Sequence, residues 1–330
     1  MTARLLVPAA APDGPQPMDI TRHLAGVAAL IEMCFAAEMD ESGRSFIRDL
    51  RFLSRLGPAL RLLVWLGLSR EIWTQGFVWV ERGRVIGSVS VQAAGPRSTT
   101  WLVANVAVHP EHRRRGIAFA LMQSALDFVE RQGGAEVCLQ VDDDNLGALA
   151  LYERLAFTPV ATHATWTRPG RLAAPPHQPA PFDIRLRSGR EWLDELNLAE
   201  LVRPEGLTWN RPPHPGDFRP TLRRRLERFF NGQVEEHWVA AAAQDRIAGA
   251  LSIVTGLSDG DRLTLLVHPA FRGQVERPLL VRALRRLGPR PWPVRLEHPA
   301  DDDAAAEVLR DLGFTVTRTL RWLRRAIRPA

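Results

Sequence analysis

In the run Val106-Ala107-Val108-His109-Pro110-Glu111-His112-Arg113-Arg114-Arg115-Gly116-Ile117-Ala118-Phe119, a strand-like alternation meets a cluster of charge and then a glycine. After it, Ile117, Leu121, Ala125 and Phe128 fall at helical spacing. A helix that starts at Gly116, straight after a strand and a short loop, exposes unpartnered backbone amides and the positive pole of its dipole. Glycine lacks the β-carbon that would hold a ligand off, and Ala118 keeps the first turn narrow. Such a turn suits a phosphate or pyrophosphate. The bland alternative is a tight strand-to-helix turn whose arginines sit in solvent.

Other residues here are of types that do chemistry. Tyr152 is the one tyrosine of the chain. Asn145 follows Asp142, Asp143 and Asp144, a setting that reads as a helix N-cap whether or not its amide also meets a ligand. His109 and His112 read as turn and surface residues. Cys34 and Cys138 lack ligand spacing and read as buried free thiols, with no metal site implied.

Two motifs now carry a resemblance. Arg113-x-x-Gly116-x-Ala118 after the strand resembles the R/Q-x-x-G-x-G/A signature of the GNAT superfamily of N-acetyltransferases. Asn145-x-x-Ala148-x-x-Leu151-Tyr152-Glu153-Arg154-Leu155-Ala156-Phe157 resembles its N-x-x-A-x-x-L-Y-x-x-x-G-F helix, with Ala156 in place of the glycine. The resemblance covers residues 18 to 168 well and 182 to 326 in degraded form. It implies that the fourth and fifth strands splay apart to admit acetyl-CoA as the acyl donor. The amides of Arg114, Arg115, Gly116, Ile117, Ala118 and Phe119 would then cradle the pyrophosphate, with Arg113 opening the motif. The strand Val106-Ala107-Val108 would pair with pantetheine through the backbone of Val106 and Val108, and Asn145 would contact the pantetheine arm. Tyr152 would be the general acid, because acyl transfer from a thioester expels a thiolate with a pKa near 8.5 that a phenol can protonate or stabilise.

A base is harder to find. Many relatives place a glutamate on the fourth or fifth strand, where this chain has Asn105 and Gln140. Glu38, Asp40 and Glu41 could relay a proton through water, and an acceptor that is already neutral would need no base at all. The acceptor is expected to be an amine of a small molecule or peptide. Mycothiol synthase is a tandem relative, so an amino-sugar acceptor is one alternative; a non-enzymatic acyl-CoA-binding or sensor protein is another.

The elements that must position these residues recur twice. RVIGSVSV at 84–91 and RIAGALSI at 246–253 are related by a shift of 246 − 84 = 162, His109-Pro110 and His268-Pro269 by 159, and Phe157 and Phe314 by 157. Shifts that drift by a few residues describe two copies of one unit with altered loops. TRPGRLAAPPHQPAP, residues 167–181, reads as an exposed proline-rich linker. The expected architecture is α/β: tandem GNAT folds, each a mixed, mostly antiparallel sheet flanked by helices. Residues 1–168 would be the catalytic domain, 169–181 the linker and 182–330 a degenerate copy. In that copy Val275 and Arg277 are expected at the two small positions, intruding where a pyrophosphate must approach, while Leu309 replaces the tyrosine and Asp302 the asparagine.

Composition bounds the rest. The net charge is +6 and every basic residue is arginine. The arginine clusters lack aromatic interleaving, so nucleic acid is not an expected partner. No apolar run approaches the roughly 18 residues of a bilayer span, and the start of the chain is too weak for a secretory signal. A cytoplasmic protein without stable membrane insertion is expected, with homodimerisation left open. The apolar stretch 56–69 reads as a helix packed between domains or over the acceptor pocket.

Overall fold

The computed structural model of the chain describes residues 13–36, 41–55, 75–95, 98–177, 179–203, 213–221, 228, 232–242, 246–256 and 260–327. The apolar stretch 56–69, Glu38, Asp40 and the side chain of Glu41 lie outside the described residues. The chain divides into two compact units, and neither is contiguous in sequence. The first comprises Met1–Leu139, Gly147–Thr158 and Arg324–Ala330; the second comprises Gln140–Leu146 and Pro159–Leu323.

The first unit begins with β1 (Gly14–Pro17), antiparallel to β2 (Gly76–Glu81). Helix α1 (Ile20–Phe35) starts where Asp19 accepts the Thr21 amide at 2.8 Å, an N-cap that stops the helix running backward. Its face Leu24, Val27, Ala28 and Ile31 packs with Ile47 and Leu50 of α2 (Glu41–Ser54) onto Val78 and Val80 of the sheet. β2, β3 (Arg84–Ala93) and β4 (Thr100–Val108) form an antiparallel meander, followed by α3 (Ile117–Arg131). Gly87 on β3 lets α3 come close, since a β-carbon there would lie 2.8 Å from Ile117 and 2.9 Å from Leu121. β5 (Glu136–Asp142) and α4 (Leu146–Arg154) follow. β4 pairs in parallel with β5 only from Thr100↔Glu136 to Leu102↔Cys138, although β4 continues to Val108. The implied splay is present.

The second unit repeats the plan. β6 (Thr158–Arg168) is antiparallel to β11 (Val294–Pro299), from His163↔Pro299 to Arg168↔Val294. β7 (Asp183–Leu186), β8 (Gln233–Ala241), β9 (Ile247–Gly256) and β10 (Asp261–Val267) form successive antiparallel pairs. Helices α5 (Trp192–Leu201), α6 (Pro215–Phe218), α7 (Glu276–Leu287) and α8 (Asp303–Asp311) flank them, and β12 (Thr315–Ala326) closes the chain. β10 pairs in parallel with β11 only from Asp261↔Val294 to Leu263↔Leu296, the same splay a second time.

Duplication is visible atom by atom. The His109 amide donates to the Ile86 carbonyl at 2.9 Å and the His268 amide to the Ala248 carbonyl at 2.9 Å. Each histidine then caps a 3-10 turn through Nδ1, from Glu111 at 3.3 Å and from Ala270 at 3.2 Å. Gly249 repeats Gly87, with Leu279 and Val275 each 3.0 Å from the β-carbon it lacks.

The proline-rich segment is tied to the second unit. Arg168 is buried and donates to the Leu312 and Ala173 carbonyls at 2.8 and 2.7 Å, while the Arg171 amide donates to the Arg290 carbonyl at 2.6 Å.

Candidate functional site

The loop that joins β4 to α3 is built by two residues with left-handed backbone. Arg114 has φ 63° and Gly116 φ 78°, and a β-carbon on Gly116 would meet nothing within 4 Å. The first intrahelical bond runs from the Ala120 amide to the Gly116 carbonyl at 3.0 Å. The amides of Ile117, Ala118 and Phe119 therefore have no helical partner. No side chain caps Gly116, and the first turn of α3 carries no acidic residue. An uncapped helix start beside open space and three arginines could receive an anion.

The arginines differ. Arg113 Nε donates to the Val108 carbonyl at 3.3 Å and holds the loop against the strand end. Arg115 lies 2.6 Å from His112 Nδ1 and 3.0 Å from Glu81, the latter an ion pair without hydrogen-bond alignment. Arg114 is exposed, and among the described residues no carboxylate pairs with it. Phe119 carries the Arg154 guanidinium 4.4 Å above its ring, which ties α4 to the start of α3. His109, Glu111 and His112 offer donor atoms within 4.8 Å of one another, but their ring nitrogens are engaged in the turn and with Arg115.

Asn105 supplies geometry that the sequence did not disclose. Its φ is 52°, and the β3–β4 register shifts between Ser88↔Ala107 and Ser90↔Ala104, so β4 bulges at Asn105. The bulge is held by Asn105 Nδ2 donating to Ser90 Oγ at 3.3 Å and by Ser88 Oγ donating to the Asn105 carbonyl at 3.3 Å. Asparagine tolerates left-handed backbone better than most residues, and that was the available signal. Beyond the bulge Ala107 pairs with Ser88, and the His109 amide donates to the Ile86 carbonyl of β3. By alternation, the backbone groups of Val106 and Val108 point to the edge that β5 has left. The Val108 carbonyl also accepts from the half-buried Cys34 thiol at 3.5 Å, whose pKa burial pushes up; Cys138 is buried, and both thiols are free.

Tyr152 on α4 is 5% exposed and meets Phe157 edge-on with ring centroids 5.8 Å apart. Burial raises its pKa, so the phenol keeps its proton at neutral pH. Ala156 takes φ 58° where the helix ends, and the Phe157 amide donates back to the Tyr152 carbonyl at 2.9 Å. Asn145 is exposed just before α4, in the part of the chain counted with the second unit, and its amide donates to the Asp142 carbonyl at 3.0 Å. Gln140 is half-buried on β5.

The second copy fills its own loop. Val275 is fully buried and packs on Gly249 as Ile117 packs on Gly87. It is the counterpart of Ile117, not of Gly116, because the loop is one residue shorter: 275 − 268 = 7 against 117 − 109 = 8. Arg277 turns away to Asp311 at 2.5 Å. Neither residue intrudes on the loop as the sequence suggested. Glu276 does, at 0% exposure: its carboxylate accepts the Gly273 amide at 2.8 Å and the Val275 amide at 3.1 Å. An internal carboxylate stands where a phosphate would have to bind. Leu309 replaces Tyr152, with the Phe314 amide donating to its carbonyl at 2.9 Å.

Residues 46–157 match the model of the acetyltransferase (GNAT) family. The chain is 37% identical over 83 residues to an N-alpha-acetyltransferase 30 from Schizosaccharomyces pombe, covering 24% of this chain and 55% of that protein. It is 39% identical over 74 residues to a mycothiol acetyltransferase from Beutenbergia cavernae, covering 22% of this chain and 25% of that protein. The chain thus spans about half the length of the first relative and a quarter of the second. Among solved structures, a GCN5-related N-acetyltransferase from Sphaerobacter thermophilus aligns with TM-score 0.63 at 20% identity, over 97% of this chain and 98% of that one. A tandem GNAT protein from the clavulanic acid biosynthesis pathway aligns with TM-score 0.58 at 18% identity, over 96% of this chain and 99% of that one. These likenesses extend the fold over both halves.

Proposed function

We propose that this chain, whose residues 46–157 match the GNAT acetyltransferase family, transfers acetyl from acetyl-CoA to an amine of a small molecule or peptide. The observation that carries this reading is the uncapped start of α3 at Gly116, open to an anion, beside a strand edge that β5 has left. The loop fits the group: amides of Arg114 to Phe119 would face the pyrophosphate, Arg113 fixes the loop to Val108, and Val106 and Val108 would present backbone to the pantetheine. Asn145 on the pantetheine arm rests on the family motif alone. Acetyl-CoA supplies the thioester.

Tyr152 holds a proton on Oη. A phenol whose pKa is raised by burial stays neutral while a thiolate develops, and donates a hydrogen bond to the sulfur more readily than it ionises. In this reading residues 1–168 hold the catalysis, 169–181 join the copies, and 182–330 keep the fold without the cofactor.

The test is a screen of amines, amino acids, aminoglycosides and peptides for release of free CoA. Turnover on at least one amine, coupled one to one with acetylated product, is expected. Binding of acetyl-CoA without release on any acceptor would favour the non-enzymatic acyl-CoA-binding reading. The likeness to a mycothiol acetyltransferase places amino sugars in the same screen.

A further inference from the structure

The second unit keeps the splay between β10 and β11 although Glu276 has sealed its loop. The splay opens into a cavity of about 520 Å³ that lies wholly within this unit, lined among others by His163, Arg203, His237, His298, Asp302 and Trp322. That volume is in the range of small-molecule sites.

The walls are polar and already organised. His237 Nδ1 lies 2.9 Å from Glu195 and Nε2 3.3 Å from Glu235, so both nitrogens donate. Burial alone would lower its pKa, but the two carboxylates outweigh it and raise it. Glu195, itself 2% exposed, also pairs with Arg187. His298 Nε2 lies 3.0 Å from Asp302, which also caps α8 by accepting the Ala305 amide at 3.1 Å. A carboxylate only accepts, so Nε2 carries the hydrogen, and in the neutral ring Nδ1 presents a lone pair.

Against that order stand buried polar atoms with no partner among the described residues. Trp322 Nε1 and one terminal nitrogen of Arg203 are donors without acceptors, and His298 Nδ1 is an acceptor without a donor. Trp322 and His298 are 6% and 5% exposed, and Trp322 is further fixed by stacking on His163 at 4.2 Å and 5°. A buried orphan costs free energy that a matching ligand recovers. A guanidinium and an indole N–H together ask for a carboxylate, and the imidazole lone pair asks for an N–H.

We propose that this cavity binds a small zwitterion of the α-amino-acid class, its carboxylate on Arg203 and Trp322 and its amino group on His298. The sealed Glu276 loop excludes a nucleotide phosphate from the same cleft, which separates this site from the acetyl-CoA site of the first unit.

Calorimetric titration of the full chain, without acetyl-CoA, against each standard amino acid tests this. Propionate, which has no N–H, and ethanolamine, which lacks the carboxylate, are the controls. One amino acid, or a few of related shape, should bind once per chain, and both controls should bind far more weakly. Trp322→Phe keeps the stack and removes only the N–H, and should weaken binding about tenfold, the range expected for one lost buried hydrogen bond. Arg203→Met should weaken it at least as much, while Gly116→Glu should leave it unchanged. The proposal is overturned if no amino acid binds, if both cavity variants bind like the parent, if either control binds as well as the amino acid, or if Gly116→Glu abolishes binding.

Discussion

Tyr152 and Ala156 sit on one turn of chain and make separable predictions. Tyr152→Phe keeps the edge-on contact with Phe157 and removes the proton, so the loss should fall on kcat, by roughly 10²-fold or more, with little change in acetyl-CoA affinity. Stopped assays on the acceptor found in the screen would read this, and unchanged kcat would assign Tyr152 to packing. Ala156 holds left-handed backbone at φ 58°, where the second copy has Gly313 at φ 84°. Ala156→Gly should stabilise the protein by about 1 kcal/mol by relieving that strain, measured as a raised denaturation midpoint. The glycine missing from the motif was legible in the sequence. Its consequence was not, because only the backbone angle shows that Ala156 adopts the glycine conformation anyway.

Among elements, the strand ending at Val108, the helix after Gly116 and the duplication followed from alternation and spacing. The bulge at Asn105 did not, since a single asparagine within a strand carries no register information. The fate of the second loop was misread by one residue. Aligning Arg272 with Arg113 placed Val275 on Gly116, and only the packing of Val275 on Gly249 reveals the shortened loop and Glu276 as the occupant.

Ionisable groups on the second unit's strands and loops set a pH dependence. Burial first, and His298 beside it, hold His163 down to about 4 from an ordinary 6.5. The unfolded chain therefore takes up this proton earlier than the folded one, so the stability from a neutral His163 is complete above pH 6.5 and lost as pH falls to about 4. Glu191, held down to about 2 by its paired bonds from Arg185 at 2.9 and 2.7 Å, continues the loss below its ordinary 4.5. Denaturant midpoints across this range should fall with pH, and more gently for His163→Phe between 6.5 and 4. Parallel curves for parent and variant would contradict the assignment.

On the scale of the whole molecule, the two halves of the sequence are not the two compact units. The first unit includes Arg324 and Ile327, whose amide donates to the Ala135 carbonyl at 2.8 Å. The second includes β6, hydrogen-bonded to β11. Gly170 itself packs on backbone, its missing β-carbon 2.5 Å from the Trp292 carbonyl oxygen. Expression of 1–170 alone should therefore give an insoluble or unfolded fragment, and co-expression with 171–330 should restore solubility. A soluble, cooperatively folding 1–170 would show that neither the β6 pairing nor the final strand is required.

The central claim is one acetyl-CoA site per chain, at the open loop of the first unit and absent from the sealed loop of the second. Calorimetric titration of the full chain with acetyl-CoA, beside Gly116→Glu, tests it most directly. The account predicts a stoichiometry of one for the parent and no binding for a variant that sets a carboxylate against the loop while remaining folded. Two equivalent sites, or unaltered binding by Gly116→Glu, would contradict it.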